Sequence, residues 1–187
     1  MKITLNKLAT LSVLMVLPLS AMAAPTVTFE GEVTSQTCAI SINGQANSVV
    51  MLPTVAIKDF GDTPAATKTA GFTPFTVSIT GCQAPDADTN ITTKFLGYNV
   101  DSASGVLGNM ATGSDAASGF GIQLLKDTED NAASAINLKG VTAVPGLVLK
   151  NGQTSATYDF GARYYSLGDT GTPGRITAVA EYTVSYL

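Results

Sequence analysis

Two short runs carry carboxylates and amides at the alternate spacing with which a loop surrounds a hard cation: Asp86, Asp88 and Asn90, and Asp127, Glu129 and Asn131. A calcium loop of this kind also needs a turn glycine at its sixth position and a bidentate glutamate at its twelfth. The first run has Ile91 and Gly97 there and the second has Ala132 and Leu138, so both read as solvated loops. Gly119-Phe120-Gly121 opens like a dinucleotide-binding loop, but Leu124 stands where the third glycine is required. No G-x-S-x-G, G-x-x-x-x-G-K-[ST] or H-E-x-x-H is present. The sequence has no histidine, which removes the one side chain whose ordinary pKa lies near neutrality and with it Ser-His-Asp, Cys-His and His-zinc sites. No enzyme activity, cofactor or metal is expected.

Charge narrows the partners. Ten Lys and Arg stand against 14 Asp and Glu, a net charge of −4, the wrong sign for neutralising a nucleic-acid backbone. The chain opens with Lys2 and Lys7, continues through the apolar stretch Leu8 to Leu19, and reaches Ala21-Met22-Ala23. A basic start, an apolar run of about a dozen residues and a small-x-small site are the pattern of a secretory signal. Residues 1–23 are therefore expected to be removed, leaving a chain that begins at Ala24. Export puts Cys38 and Cys82, the two cysteines of the sequence, where disulfides persist, and two cysteines allow one pairing. The chain-entropy treatment assigns the bridge about 4 kcal/mol for a loop of this length.

The elements that must carry these residues read as strands. Period-2 apolar alternation recurs between turn residues, with strands expected over Val27 to Val33, Val49 to Leu52, Val55 to Phe60, Phe72 to Ile79, Ile91 to Tyr98, Phe120 to Leu125, Leu147 to Leu149, Ala156 to Tyr165 and Ile176 to Tyr186. Turns are expected at Asn43-Gly44, Pro85-Asp86, Asn151-Gly152 and Pro173-Gly174. No amphipathic helix of three turns is legible, and an all-β sandwich follows. The last run is the clearest. Ala178, Ala180, Tyr182, Val184 and Tyr186 share one face, with Thr177, Glu181, Thr183 and Ser185 on the other, and the sequence stops at Leu187. A strand in that position needs neighbours on both sides, or it leaves an associating edge. At the other end Pro25, Val27, Phe29, Gly31 and Val33 alternate with Thr26, Thr28, Glu30 and Glu32 in a strand that belongs to no obvious hairpin.

These residues resemble the structural pilins of the chaperone–usher pathway, in particular type 1-like major fimbrial subunits. Val27-Thr28-Phe29-Glu30-Gly31-Glu32-Val33 ahead of the first cysteine is similar to that family's donor strand. Phe160-Gly161-Ala162-Arg163-Tyr164-Tyr165, Thr172-Pro173-Gly174 and the penultimate Tyr186 are similar to the run through its last strand. The resemblance implies an incomplete immunoglobulin-like β-sandwich, the pilin fold, completed by a neighbour's strand. Residues 24–34 would be the donor extension and residues 35–187 the pilin domain. Pro25, Val27, Phe29, Gly31 and Val33 would enter the next subunit's groove. Gly174, Ala178, Ala180, Tyr182, Val184, Tyr186 and Leu187 would form the acceptor groove and chaperone-binding edge, although the family commonly ends on Gln where this chain has Leu187. The implied partners are further copies of the chain, a periplasmic chaperone, an outer-membrane usher and tip or adaptor pilins, with no nucleic acid, and the implied place is a cell-surface fimbria. The competing reading is a self-contained secreted immunoglobulin-like binding module, in which Val27 to Val33 pairs within its own sheet; a minor adaptor pilin is the other alternative.

Overall fold

Eight strands account for nearly all the regular structure, as the alternation requires. The computed structural model describes residues 31–36 and 38–186. The expected signal segment, Pro25, Val27, Phe29 and Leu187 lie outside the described residues, and the folded unit begins at Glu32. The strands are β1 (Ala39–Ile42), β2 (Thr69–Thr80), β3 (Thr89–Gly97), β4 (Leu107–Gly108), β5 (Phe120–Leu125), β6 (Thr142–Leu149), β7 (Ser155–Ser166) and β8 (Ala180–Ser185). One sheet has the order β1-β2-β7-β5-β4 and the other the order β6-β3-β8. All ladders between strands are antiparallel.

Alternation decides which side chains meet between the sheets. Phe75 and Val77 of β2, Ile122 and Leu124 of β5, and Phe160 and Ala162 of β7 are buried with Phe95 of β3 and Val144 of β6 in one cluster. Phe160 is fully buried and stands 5.6 Å from Phe75, 5.2 Å from Phe95 and 4.9 Å from Tyr158 between ring centroids. It ties both sheets together, because Phe95 belongs to the opposite one. Cys38 and Cys82 are disulfide-bonded, which staples the start of β1 to the end of β2.

Several expectations need correcting. Val55 to Phe60 is not a strand. Ile57–Phe60 turns as a 3-10 helix, and the Asp59 carboxylate accepts the Ala56 N–H at 2.7 Å. That local bond gives the backbone an alternative to a ladder, and the turn drops Phe60 onto Phe120 with ring centroids 4.8 Å apart. Val49 to Leu52 keeps its alternation, with Val49 and Met51 exposed and Val50 and Leu52 against the core, yet pairs with no strand. The last strand is shorter than read, because only Ala180–Ser185 pairs with β3. Pro173-Gly174 is extended chain rather than a turn. β1 and β4 carry too few residues to show a period, and β6 begins at Thr142, before the point where its run reads as a strand. Gly31 to Val33, the described part of the first expected strand, pairs with nothing in the described chain, and Val33 is fully exposed.

Candidate functional site

Among the described residues, β8 has a neighbour on one side only, β3. Which of its backbone groups are open follows from the two-residue repeat. The Tyr98 N–H donates to the Val179 carbonyl at 3.0 Å, so odd-numbered residues aim their amides at β3, and even-numbered ones aim theirs at the free edge. Ala180, Tyr182 and Val184 thus present N–H and C=O groups along one line that no described residue pairs. Their side chains, with those of Ala178 and Tyr186, are half-buried, whereas Thr177, Val179, Glu181 and Thr183 are exposed. Ala178, Ala180 and Tyr182 pack on the main core, and Val184 and Tyr186 pack on a second cluster around Ile79, Ile91, Leu147 and Leu149.

Facing this edge is a wall made mostly of irregular chain. A groove of about 630 Å³ runs between Ala180, Glu181 and Tyr182 on one side and Ile40 with the irregular segment Ala46 to Val49 on the other. The Tyr182 hydroxyl donates to the Ala46 carbonyl at 3.2 Å across it. Partial burial raises the phenol pKa values of both Tyr182 and Tyr186, the latter helped by the charge of Glu32. A half-buried apolar floor is thus flanked by the free backbone groups of β8 on one side and by an irregular segment outside the ladders on the other.

Gly174 occupies a different place. It lies in the extended run before β8 and lines a second cavity of about 390 Å³, together with Val55, Ile57, Phe120 and Ile176. A Cβ at Gly174 would stand 2.5 Å from the Ala117 nitrogen and the Asp115 carbonyl oxygen, so the close approach of two backbones requires glycine there. Arg175 holds the same contact through the Asp115 carboxylate, at 2.7 and 3.2 Å.

At the far end of β8, Glu32 makes a contact that no local pattern announces. Its carboxylate accepts from the Ser185 hydroxyl at 2.5 Å and from the Tyr186 N–H at 3.0 Å. Those bonds, the hydroxyl first, hold its pKa below the ordinary glutamate value. Of the expected donor residues, Gly31 has no atom within 4 Å of a built Cβ and Val33 is fully exposed. The apolar residues of the opposite wall, Ile40 and Val49, carry no signal in the sequence that separates a groove wall from an ordinary strand.

The carboxylate runs do structural work. Asp88 accepts from the Lys150 ammonium at 2.8 Å and the Asn151 N–H at 3.0 Å. Asp127 accepts the Glu129 N–H, and Asn131 caps the short 3-10 turn Ala132–Ser134 through the Ala133 N–H. Among the described residues no three His, Cys, Asp or Glu gather as metal ligands.

The chain has clear relatives among known proteins. The chain is 36% identical over 178 residues to the major fimbrial subunit SMF-1 of Stenotrophomonas maltophilia strain K279a, covering 90% of this chain and 96% of that one. It is 31% identical over 197 residues to the type-1 fimbrial protein A chain of Escherichia coli K12, covering all of both. The crystal structure of the P pilus rod subunit PapA shares the fold, with a TM-score of 0.55 at 17% identity over 80% of this chain and 99% of that one. Residues 27–187 match the Fimbrial protein family, and the chain belongs to that family.

Proposed function

We propose that the chain is a structural subunit of a bacterial surface fimbria that polymerises by exchanging strands. The open edge of β8 over a half-buried apolar floor carries the reading. Strand addition to such an edge supplies a ladder of main-chain bonds, with side chains read by the groove. The donor is the extension of residues 24–34 from the next copy, with Pro25, Val27, Phe29, Gly31 and Val33 turned into the groove. Burial of Val27, Phe29 and Val33 contributes about 1.5–3 kcal/mol each, roughly 5–9 kcal/mol together. A head-to-tail contact that does not close on itself propagates as a fibre.

Before assembly the same edge is held by a periplasmic chaperone that also binds the Leu187 carboxylate, and an outer-membrane usher joins subunits after removal of residues 1–23. The chemistry is non-covalent throughout and uses no cofactor. The described part of the extension, Gly31 to Val33, lies outside every ladder, which favours donation over a self-contained binding module.

The test is thermal unfolding of residues 35–187, oxidised, with and without a peptide of residues 24–37. At about 2–4 °C per kcal/mol for a domain of this size, completion of the sheet raises the midpoint by about 10–35 °C. An unchanged midpoint would mean a self-sufficient sandwich and overturn the reading.

A further inference from the structure

The even-numbered amides of β8 fall into two classes. Those of Ala180, Tyr182 and Val184 have no partner among the described residues, whereas the Tyr186 N–H is already taken by the carboxylate of Glu32. That carboxylate takes the Ser185 hydroxyl as well, and Ser185 is buried. Glu32 is the first residue of the folded unit. It sits one residue from Gly31 and from Val33, both of which the proposed function places in the groove of another copy. A residue flanked by two groove-filling neighbours cannot at the same time stay on its own β8, because adjacent Cα atoms are only about 3.8 Å apart. The contact with Tyr186 and the donation of the strand therefore exclude each other.

We propose that Glu32 is a latch that ties the root of the outgoing strand to the end of the subunit's own acceptor edge, so that filling the edge frees the strand. This rests on the strand-exchange reading. An incoming strand that pairs along β8 brings a carbonyl to the Tyr186 N–H and competes with the Glu32 carboxylate for it. Once displaced, Glu32 and the residues before it are released to reach the next copy. Accepting then promotes donating, and growth acquires an order. Other charged and titratable groups near the latch are Lys94 on β3, whose charge favours the carboxylate, and the Tyr186 phenol, which its charge disfavours ionising.

The test compares the full exported chain with Glu32→Ala and Glu32→Gln, the latter keeping a neutral oxygen in place. Hydrogen exchange at single amides and self-assembly followed by light scattering are the two readouts. In Glu32→Ala, loss of the carboxylate should speed exchange at the Tyr186 amide about tenfold and leave the core amides of Phe160 and Leu125 unchanged. Self-assembly should quicken by about the same factor, with Glu32→Gln between. A peptide of residues 24–34 carrying Ala at position 32 should protect the Ala180, Tyr182 and Val184 amides in all three chains. It should also return the wild-type Glu32 carboxyl to its ordinary titration range.

If that peptide protects those amides but assembly is equally fast or slower in Glu32→Ala, the latch is refuted and strand exchange stands. If the peptide protects none of them and no chain assembles, strand exchange falls and the latch with it.

Discussion

Replacing Gly174 by Ala adds one methyl group at a place where the structure leaves no room for it. The new Cβ would lie 2.5 Å from the Ala117 nitrogen, 2.5 Å from the Asp115 carbonyl oxygen and 2.6 Å from the Ala116 carbonyl carbon. All three are backbone atoms, so no side chain can swing aside. The loop they belong to is also pinned to the residue next to the glycine. Arg175 donates its N–H to the Asp115 carbonyl at 2.7 Å and accepts the Ala117 N–H at 2.9 Å. Relief of the clash must stretch those bonds or distort the run into β8. Overpacking of this kind costs about 1–3 kcal/mol, which for a domain of this size lowers the melting midpoint by about 2–12 °C. Thermal unfolding by circular dichroism reads it, with Gly168→Ala as the control, because nothing lies within 4 Å of a Cβ at Gly168. Equal midpoints for the two variants would refute the close-approach argument.

Three further perturbations follow from the same structure. Replacing Cys38 and Cys82 together by Ala should cost about 4 kcal/mol, read as a lower denaturation midpoint, with faster exchange confined at first to Ala39–Ile42; an unchanged midpoint would contradict it. Thr93 is buried at the centre of β3 with a hydroxyl that has no hydrogen-bond partner among the described residues, so Thr93→Val should stabilise by about 1–3 kcal/mol, and a loss of stability would show that the hydroxyl is satisfied. The pKa values of Glu32, Asp88, Asp101 and Asp115 are lowered on folding by hydrogen bonds from Ser185, Lys150, Ser104 and Arg175 respectively. A carboxylate depressed by folding contributes stability above its unfolded pKa, and that contribution disappears as pH falls through the folded value. With no histidine in the chain, urea midpoints should stay level from about pH 5 to 8 and fall below about pH 4; a slope between pH 6 and 7 would contradict this.

How much of this was legible in the sequence depends on the range of the interaction. Alternation is local, so the faces of β8 and the inward residues Phe75, Val77 and Phe160 could be read directly. Pairing is not local. Val49 to Leu52 alternates like a strand but has no neighbour, and Val55 to Phe60 alternates until Asp59 bonds back to Ala56 and turns the chain. Arg163 offers a similar lesson. Its guanidinium is buried against the Gln123 side-chain oxygen at 2.7 and 2.9 Å and pairs with Asp130, a network spread over β5, β7 and the loop between β5 and β6. Alternation puts Glu32 on the face opposite Gly31 and Val33, and its contact with Tyr186 spans 154 residues of sequence, beyond the reach of any local pattern.

The four sheet edges differ in the way that the proposed strand exchange requires. A protein that must not aggregate blunts its edges with short strands, prolines or bulges. β4 has two residues and β1 has four, with the Cys38–Cys82 disulfide beside it. β6 carries Pro145 and a register shift past Gly146, so its ladder is broken where another chain would have to pair. Pro74 of β2 obeys the same rule, because β1 reaches only as far as Val77 and the missing N–H falls beyond it. β8 has no proline, no glycine and no bulge over its six residues. Its open amides run in one uninterrupted line over a floor of half-buried side chains. Three edges are defended against pairing and the fourth is not, which is the asymmetry that the proposed head-to-tail polymer requires.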